Sequence, residues 1–183
     1  KQPTVYYGLM YLAKNAKKEV KIHTPYIICN DYMYNELKNI KVPTTIMTNS
    51  AENNGNIFGA VDYLNHKKDI INTGVTIKEY EGGISYHGKS MTIDDDIAIV
   101  GSFNMDMRSA YIDTELMLVI NSKDINKQLK ASMEEYEKKA ATVKNETEYS
   151  HIPEGMKMKE LSDKKKNIKA WFGWAMNGLR FLF

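Results

Sequence analysis

This sequence of 183 residues has little cysteine, no long apolar run and little net charge, and each of these excludes a class of protein or site. Its single cysteine, Cys29, excludes an internal disulfide framework and a zinc site built from cysteines. No stretch contains the roughly 18 consecutive apolar residues that a membrane-spanning helix needs. The formal net charge is only +2, with both signs mixed along most of the chain. This charge argues against nucleic acid as a partner, because proteins that bind it neutralise many phosphates.

The composition is that of a folded soluble protein, with 43% hydrophobic and 26% charged residues. The length is enough for one domain with a proper core and too short for two ordinary ones. The chain opens on Lys1, inside a helix-like pattern and without a signal-like apolar segment. We therefore expect it to be a piece of a longer protein, with any membrane anchor outside this chain.

Strand-like and helix-like segments alternate, which predicts an α/β domain with a mixed β-sheet flanked by helices. The predicted helices are Tyr6–Lys18, Asp31–Lys38, Phe58–Ile71 and Lys123–Val143. The predicted strands are Val20–Ile28, Thr44–Thr48, Val75–Glu81, Ser85–Ile93, Asp96–Ser102 and Glu115–Ile120. Pro25 should end or bend the first strand, because proline cannot donate to a ladder. We place the catalytic domain at residues 1–143, followed by a polar linker and a C-terminal amphipathic helix at 144–183.

The last residues, KKKNIKAWFGWAMNGLRFLF, differ from the rest of the chain. Apolar side chains from Ile168 to Leu182 follow helical spacing, with lysines and Arg180 around them. Two interpretations remain open. The helix docks on a part of the protein outside this chain, or it lies in a membrane surface, with aromatic side chains among the headgroups and basic ones against anionic lipid.

The segment HGKSMTIDDDIAIVGSFN contains the groups that metal-free phosphodiester chemistry requires. Such chemistry needs a nucleophile, an acid that protonates the leaving oxygen, and fixed donors for the nonbridging oxygens. Imidazole suits the first two tasks because it exchanges a proton near neutral pH. A lysine and an asparagine suit the third.

The spacing within this segment predicts a hairpin that gathers these groups. His87 and Lys89 are two residues apart on one predicted strand, so their side chains should emerge on the same face. Ser102 and Asn104 have the same spacing on the next strand. A reversal at the three consecutive aspartates, 94–96, would bring both pairs over one phosphate-sized pocket. Gly101 would let the second backbone approach closely.

The string matches the HxKx4Dx6GSxN signature at every defined position and so resembles the phospholipase D superfamily. GSFNMDMRSAYIDTELMLVI is also similar to the corresponding segment of bacterial cardiolipin synthases, which typically reads GSFNLDPRS and then NTE. Met107 stands where proline is usual, and Asp113 where asparagine is usual. IHTPYI and MTNS upstream are similar to that family as well. The resemblance covers roughly residues 15–125 and implies a phospholipase D-like half-domain.

The resemblance implies a role for each motif residue. His87 is one of a histidine pair and acts as acid and base, while its partner forms a covalent phosphohistidine. Lys89 and Asn104 bind the nonbridging phosphoryl oxygens, and Ser102 supports the phosphate pocket. Because the family uses two HxKx4D motifs per active site and this chain has one, the partner histidine belongs to an N-terminal half outside this chain.

Two acidic residues complete the implied catalytic set. Glu115 matches the family acid that hydrogen-bonds the histidine and fixes its tautomer. Asp94 belongs to the motif, and we expect it to brace the hairpin away from the phosphate. The neighbouring aspartates could with Glu115 form a metal site, but Lys89 would repel the cation. We therefore predict neither a metal nor a cofactor.

Three functions remain open. The first is the C-terminal catalytic half of a phosphatidyltransferase of the cardiolipin synthase type, with phosphatidylglycerol or a similar phospholipid as substrate and a membrane surface as partner. The second is a single-motif phosphodiesterase or nuclease that completes its site by forming a homodimer. The third is a binding or regulatory module in which the motif no longer turns over. The isolated chain should be inactive under the first.

Overall fold

The computed structural model describes residues 2–172, together with Gly178 and Arg180. The helices of the described part are α1 (Thr4–Lys14), α2 (Asp31–Lys38), α3 (Ile57–Ile71), α4 (Met107–Tyr111), α5 (Lys123–Glu137) and α6 (Asp163–Phe172). The strands are β1 (Val20–His23), β2 (Ile27–Ile28), β3 (Thr44–Asn49), β4 (Thr76–Tyr80), β5 (Ser90–Ile93), β6 (Ile97–Gly101), β7 (Met105–Asp106), β8 (Met117–Asn121), β9 (Ala140–Val143) and β10 (Tyr149–His151).

The predicted α/β class and the mixed sheet are confirmed. Eight strands form one sheet in the order β10-β9-β4-β3-β1-β5-β6-β8. Strands β1, β3 and β4 run parallel, and the remaining pairs are antiparallel. The short strands β2 and β7 form a separate parallel pair. The parallel strands thus lie in the middle of the sheet, and the β5–β6 hairpin is joined to them through β1.

Apolar side chains cover both faces of the sheet. Ile46 and Met47 are consecutive on β3 and both fully buried, so they point to opposite faces. Ile46 belongs to the main core, which also contains apolar residues of α1, α2 and α3. Met47 packs in a smaller cluster with Tyr80 and Ala140. Helix α5 contacts several strands of the large sheet, β4, β5 and β6 among them.

The predicted hairpin is confirmed, with β5 and β6 in register from Ser90–Val100 to Ile93–Ile97. Asp94 occupies the turn with a positive φ of 51°. Its carboxylate accepts hydrogen bonds from the backbone N–H groups of Lys17, Lys18 and Glu19 at 2.7 to 3.2 Å. These bonds lower the pKa of Asp94, although its partial burial acts in the opposite direction. The turn is therefore fixed to the loop that follows α1.

Two predicted strands are interrupted or shortened in the structure, the first of them at the proline where the sequence predicts it. Pro25 does interrupt the first predicted strand, which becomes β1 and β2. The strand predicted for Ser85–Ile93, however, begins only at Ser90. Asn49 explains the difference, since its side chain accepts from the Tyr86 N–H at 2.7 Å and donates to the Tyr86 carbonyl at 2.9 Å. A backbone engaged in this way cannot join a ladder. His87 and Lys89 therefore lie on an irregular segment, and strand alternation does not place them.

The helix predicted for Lys123–Val143 is also wrong in its last six residues. Helix α5 ends at Glu137, and Ala140–Val143 forms β9, antiparallel to β4. Without β9 the edge of β4 would expose unpaired backbone groups, and this long-range pairing overrides the helical pattern. The predicted linker likewise contains a strand, β10, which pairs with β9. The domain boundary at residue 143 stays a prediction.

The start of the C-terminal segment packs on this chain. Helix α6 contacts α3, and the Lys165 side chain is buried. Further on, Arg180 Nε donates to Asp62 Oδ1 at 2.7 Å, and its Nη2 donates to the Cys29 carbonyl at 2.9 Å. The predicted helical continuation to Leu182 lies outside the described residues. Within the described part, no helix is both long enough and apolar enough to cross a bilayer.

Gly101 is required where β6 meets β8. An added Cβ would lie 2.1 Å from the Leu116 carbonyl oxygen, which is part of the backbone and cannot rotate away. We predict that Gly101→Ala lowers the free energy of unfolding by at least about 2 kcal/mol, a cost typical of overpacking. Gly8→Ala is the matched control, because an added Cβ there meets nothing within 4 Å and alanine favours a helix by up to about 1 kcal/mol. Urea titration of both variants would measure this, and equal stabilities would contradict it.

Candidate active site

His87 and Lys89 come together at the entrance to the β5–β6 hairpin. The Lys89 Nζ lies 2.9 Å from His87 Nδ1 and donates a hydrogen bond to the His87 carbonyl at 2.7 Å. The His87 ring is exposed, and Lys89 is half-buried. The predicted juxtaposition of imidazole and ammonium is thus present, although a folded-back irregular segment produces it.

The electrostatic environment lowers the pKa values of both groups. The protein atoms around the exposed His87 ring displace some of its water, and this desolvation lowers its pKa. The positive charge of Lys89 lowers the His87 pKa further. Partial burial also lowers the pKa of Lys89, while the carboxylates of Glu115 and Asp106 act in the opposite direction. A histidine in this setting is mostly neutral at pH 7, so it can accept a proton, and it is a stronger acid once protonated.

Ser102 and Asn104 follow β6 and are both linked to Glu115, Ser102 directly and Asn104 through Ser109. Ser102 Oγ donates to Glu115 Oε2 and accepts from the Leu116 N–H at 3.0 Å. Ser109 Oγ donates to Glu115 Oε1 at 2.8 Å and accepts from the Asn104 N–H at 3.3 Å. The predicted pair is therefore held by a network centred on one carboxylate.

The hydrogen bonds of Glu115 differ from those that the resemblance implies. Its two carboxylate oxygens accept from Ser102 and Ser109 rather than from His87. Glu115 also lies just before β8 rather than on it. The buried Oδ1 atom of Asn104 has no hydrogen-bond partner within the described residues. Glu115 therefore fixes the positions of the Ser102 and Ser109 hydroxyls.

Ser109 is a site residue that the sequence reasoning missed, and Asp106 holds it in place. Asp106 caps α4, and its Oδ1 accepts from the Ser109 N–H at 2.6 Å. The available signal was the N-cap pattern, an aspartate with a serine three residues later in MDMRS. Arg108 Nε donates to Asp113 Oδ2 at 3.0 Å. Burial raises the pKa of Asp106 to about 6, although the bond from Ser109 opposes this shift.

Asp94 is the motif residue that the structure keeps apart from the others. Strand β5 separates it from Lys89, which at about 3.3 Å per residue corresponds to roughly 16 Å. Its neighbour Asp95 pairs with Lys18 and lies 3.5 Å from Lys130. The aspartate turn and Glu115 are therefore at opposite ends of the hairpin. In residues 2–172, no group of three or more histidine, cysteine or acidic side chains is arranged to hold a metal ion.

A cavity of about 550 Å³ lies beside His87 and Lys89. Its wall combines the segment 84–90 with one side of α5. Tyr86 and Tyr136 meet there edge to face, with ring centroids 4.8 Å apart. Leu129 and Met133 add further apolar surface. A phosphate held by Lys89 would thus lie next to a partly apolar space that suits a substrate with both a phosphate and a carbon-rich group.

Comparison with known proteins assigns the family. Residues 9–136 match the profile of the "Cardiolipin synthase, PLD-like domain" family, PLD standing for phospholipase D. The chain belongs to this family. Cardiolipin synthase 1 of Staphylococcus epidermidis is 31% identical over 157 residues, which cover 84% of this chain and 31% of that protein. Cardiolipin synthase of Staphylococcus aureus is 32% identical over 127 residues, or 68% and 25% of the two chains. This chain thus spans a third or less of the length of these curated relatives.

Solved structures show the same fold. Phosphatidylserine synthase of Haemophilus influenzae has a TM-score of 0.68 at 17% identity, covering 96% of this chain and 44% of that one. Nuc, a phospholipase D family member from Salmonella typhimurium, has a TM-score of 0.61 at 17% identity, covering 75% and 89%. The predicted resemblance to the phospholipase D superfamily is confirmed, and with it the phospholipase D-like half-domain.

The buried Asp106 predicts a pH-dependent stability. Its pKa is raised from 3.8 to about 6, so the folded state binds a proton more readily than the unfolded state. The charged form therefore destabilises the fold above pH 6, and this cost disappears as the pH falls below about 4. Asp106→Asn keeps a good N-cap and should stabilise the chain at pH 7.5, by up to about 3 kcal/mol, with a much smaller effect at pH 4.5.

Denaturant titration at the two pH values tests this expectation. Asp163→Asn is the control, because the Asp163 side chain is 96% exposed and its replacement should change stability by less than about 0.5 kcal/mol at either pH. A gain from Asp106→Asn that is as large at pH 4.5 as at pH 7.5 would contradict the raised pKa.

Proposed function

We propose that this chain is the C-terminal catalytic half of a phospholipase D-type phosphatidyltransferase, a cardiolipin synthase that uses phosphatidylglycerol or a similar phospholipid. The observation that carries the proposal is the meeting of His87 and Lys89 beside a partly apolar cavity. The membership of the chain in the cardiolipin synthase domain family supports it. The first HxKx4D motif then belongs to an N-terminal half outside this chain.

In the first step, the partner histidine attacks phosphorus and displaces the donor alcohol. His87, in its protonated form, gives its proton to the leaving oxygen, and a phosphatidyl group remains bonded to the partner histidine. The lowered pKa of His87 makes it an effective acid at this moment. With phosphatidylglycerol as donor, the alcohol released is glycerol.

In the second step, the neutral His87 removes the proton from a hydroxyl of a second phosphatidylglycerol. That oxygen attacks the phosphohistidine, the nitrogen–phosphorus bond breaks, and cardiolipin leaves. Lys89 and Asn104 hold the nonbridging oxygens throughout, so the negative charge on these oxygens in the transition state meets fixed donors. Glu115 contributes by ordering Ser102 and Ser109.

The full-length protein provides the direct test. His87→Ala should lower the rate of cardiolipin formation from phosphatidylglycerol vesicles by about 10²-fold to 10⁴-fold, the usual contribution of a general acid and base. His151→Ala is the matched control, since His151 is exposed on β10 and should leave the rate unchanged. Equal cardiolipin from His87→Ala and wild type would refute the assignment.

The alternative, a single-motif nuclease active as a homodimer, is tested with the chain alone. A monomeric chain should produce no cardiolipin, because the partner histidine is missing. Cleavage of an oligonucleotide that rises with chain dimerisation and is lost in His87→Ala would favour the alternative. Sedimentation of the same samples gives the oligomeric state.

We further propose that the protein works at a membrane surface and that the outer side of α6 contributes to contact with anionic lipid. Trp171 is 77% exposed, and Lys164, Lys166 and Lys169 are exposed on the same helix. An exposed tryptophan with nearby lysines is the usual composition of an interfacial helix.

Vesicle cosedimentation tests the lipid contact. Trp171→Ala should weaken binding to phosphatidylglycerol vesicles several-fold, while binding to neutral phosphatidylcholine vesicles stays weak in both proteins. Tyr11→Ala is the control, because Tyr11 is an exposed aromatic residue on α1. A point variant is preferable to deletion of residues 164–183, which would also remove Lys165 and Arg180. Unchanged binding of Trp171→Ala would rule out this contact.

A further inference from the structure

The backbone that leads into His87 is held by side chains rather than by strands. Residues 81–89 belong to no strand. Asn49, at the end of β3, brackets Tyr86 with two hydrogen bonds: its Oδ1 accepts from the Tyr86 N–H at 2.7 Å, and its Nδ2 donates to the Tyr86 carbonyl at 2.9 Å. Asn49 is 1% exposed. The residue before His87 is thus fixed by one buried amide.

Asn53 holds the preceding part of the same segment. Its Oδ1 accepts from the Gly83 N–H at 3.1 Å, and its Nδ2 donates to the Ile84 carbonyl at 3.1 Å. The same Nδ2 donates to Asn49 Oδ1 at 3.1 Å, which joins the two amides. Asn53 lies in the loop after β3 and has no strand to hold it. The position of the His87 segment therefore depends on the position of this loop.

Lys165 of α6 fixes this loop. Its ammonium donates to the carbonyls of Ala51, Glu52 and Asn54 at 2.9, 2.5 and 3.0 Å. The three bonds can use all three ammonium protons. Glu52 Oε2 also accepts from the Ser162 N–H at the start of α6, at 2.9 Å. The ammonium therefore holds together three carbonyls on both sides of Asn53.

We propose that Lys165 is a positioning residue for His87, acting through the loop 51–54 and the side chains of Asn53 and Asn49. It touches neither His87 nor the cavity beside it. Its function is to keep the loop in the shape that presents the Asn53 amide to the backbone of residues 83–84. Helix α6, which the sequence places outside the catalytic domain, is then part of the active-site scaffold.

The chemistry of the contact explains why lysine is needed. Three carbonyl oxygens converge on one point, and a compact ammonium with three protons can satisfy all of them. Methionine has a similar length but no donor, so Lys165→Met leaves the carbonyls without this partner and frees the loop. Asn53→Asp breaks the next step, because a carboxylate can still accept from Gly83 but cannot donate to Ile84 or Asn49.

The first experiment observes His87 in the chain itself and requires no activity. The imidazole signals of the four histidines are recorded by NMR from pH 5 to 8 and assigned to His87 by their loss in His87→Gln. Lys165→Met and Asn53→Asp should each move the His87 signal and raise the His87 pKa towards its usual value, since a released segment is better hydrated and less constrained beside Lys89. The signals of His23, His66 and His151 should stay in place.

Lys164→Met is the matched control, because Lys164 is exposed on the same helix. It should leave all four signals where they are in the wild type. If Lys165→Met does not fold, Asn53→Asp still tests the step from the loop to His87, without which Lys165 cannot act on the histidine. An unchanged His87 signal in folded Lys165→Met or Asn53→Asp, or an equal shift of all four histidines, would overturn the proposal.

The second experiment measures turnover by the full-length protein and rests on the proposed function. Each variant should lower kcat by about 10-fold to 100-fold, the effect of a small displacement of a catalytic group, with KM changed by less than about 3-fold. Because both residues act through one path, the double variant should be no slower than the slower single variant. Effects that multiply in the double variant would count against a shared path.

The two experiments separate the possible failures. If the His87 signal responds but the wild-type protein forms no cardiolipin, the positioning role stands and the proposed function fails. If cardiolipin forms but the His87 signal and kcat do not respond to Lys165→Met, the proposed function stands and the positioning role fails.

Discussion

The antiparallel pairing of β5 with β1 is the constraint on which the candidate site depends. Ser90, the first residue of β5, pairs with His23, the last residue of β1. The chain therefore enters β5 beside the carboxyl ends of the parallel strands β1, β3 and β4. His87 and Lys89, which precede β5, meet the loops that follow those strands. At the opposite end of β5, Asp94 fixes the turn through three backbone N–H groups. This pairing places the candidate site at the carboxyl ends of the parallel strands. The placement does not depend on the contacts of the site's own side chains.

The site combines separate sources of order rather than one rigid element. The segment before His87 depends on the amide side chains of Asn49, at the end of β3, and Asn53, in the loop that follows. Ser102 depends instead on Glu115, which precedes β8, and on Ser109 from α4. Lys89 directly precedes β5, and its carbonyl accepts from the Gly101 N–H of β6 at 3.2 Å. Donors from several elements are therefore available to the two nonbridging oxygens of a phosphodiester, if one binds here.

The motif residues were accessible from the sequence because their types and spacing are fixed by chemistry and by family resemblance. The hairpin and the need for Gly101 followed from local patterns. The irregular segment before Ser90 did not, because it is created by Asn49, which lies 37 residues away from Tyr86 along the chain. Strand β9 was hidden for the same reason: Ala140–Val143 continues a helical pattern locally and becomes a strand only because β4 needs a partner. Lys165 resembled its exposed lysine neighbours, since burial is not visible in a run of three lysines.

The fully buried Cys29 gives the chain a built-in reporter of opening. Its Sγ donates to the Met105 carbonyl at 3.7 Å, and burial raises the pKa of its thiol. Thiol reagents react with the thiolate, so the closed chain is inert to them. Labelling can proceed only when the core around Cys29 opens, which the β2–β7 pairing and the bond from Arg180 to the Cys29 carbonyl oppose. Because this chain contains no second cysteine, its alkylation rate measures how often the core around Cys29 becomes exposed.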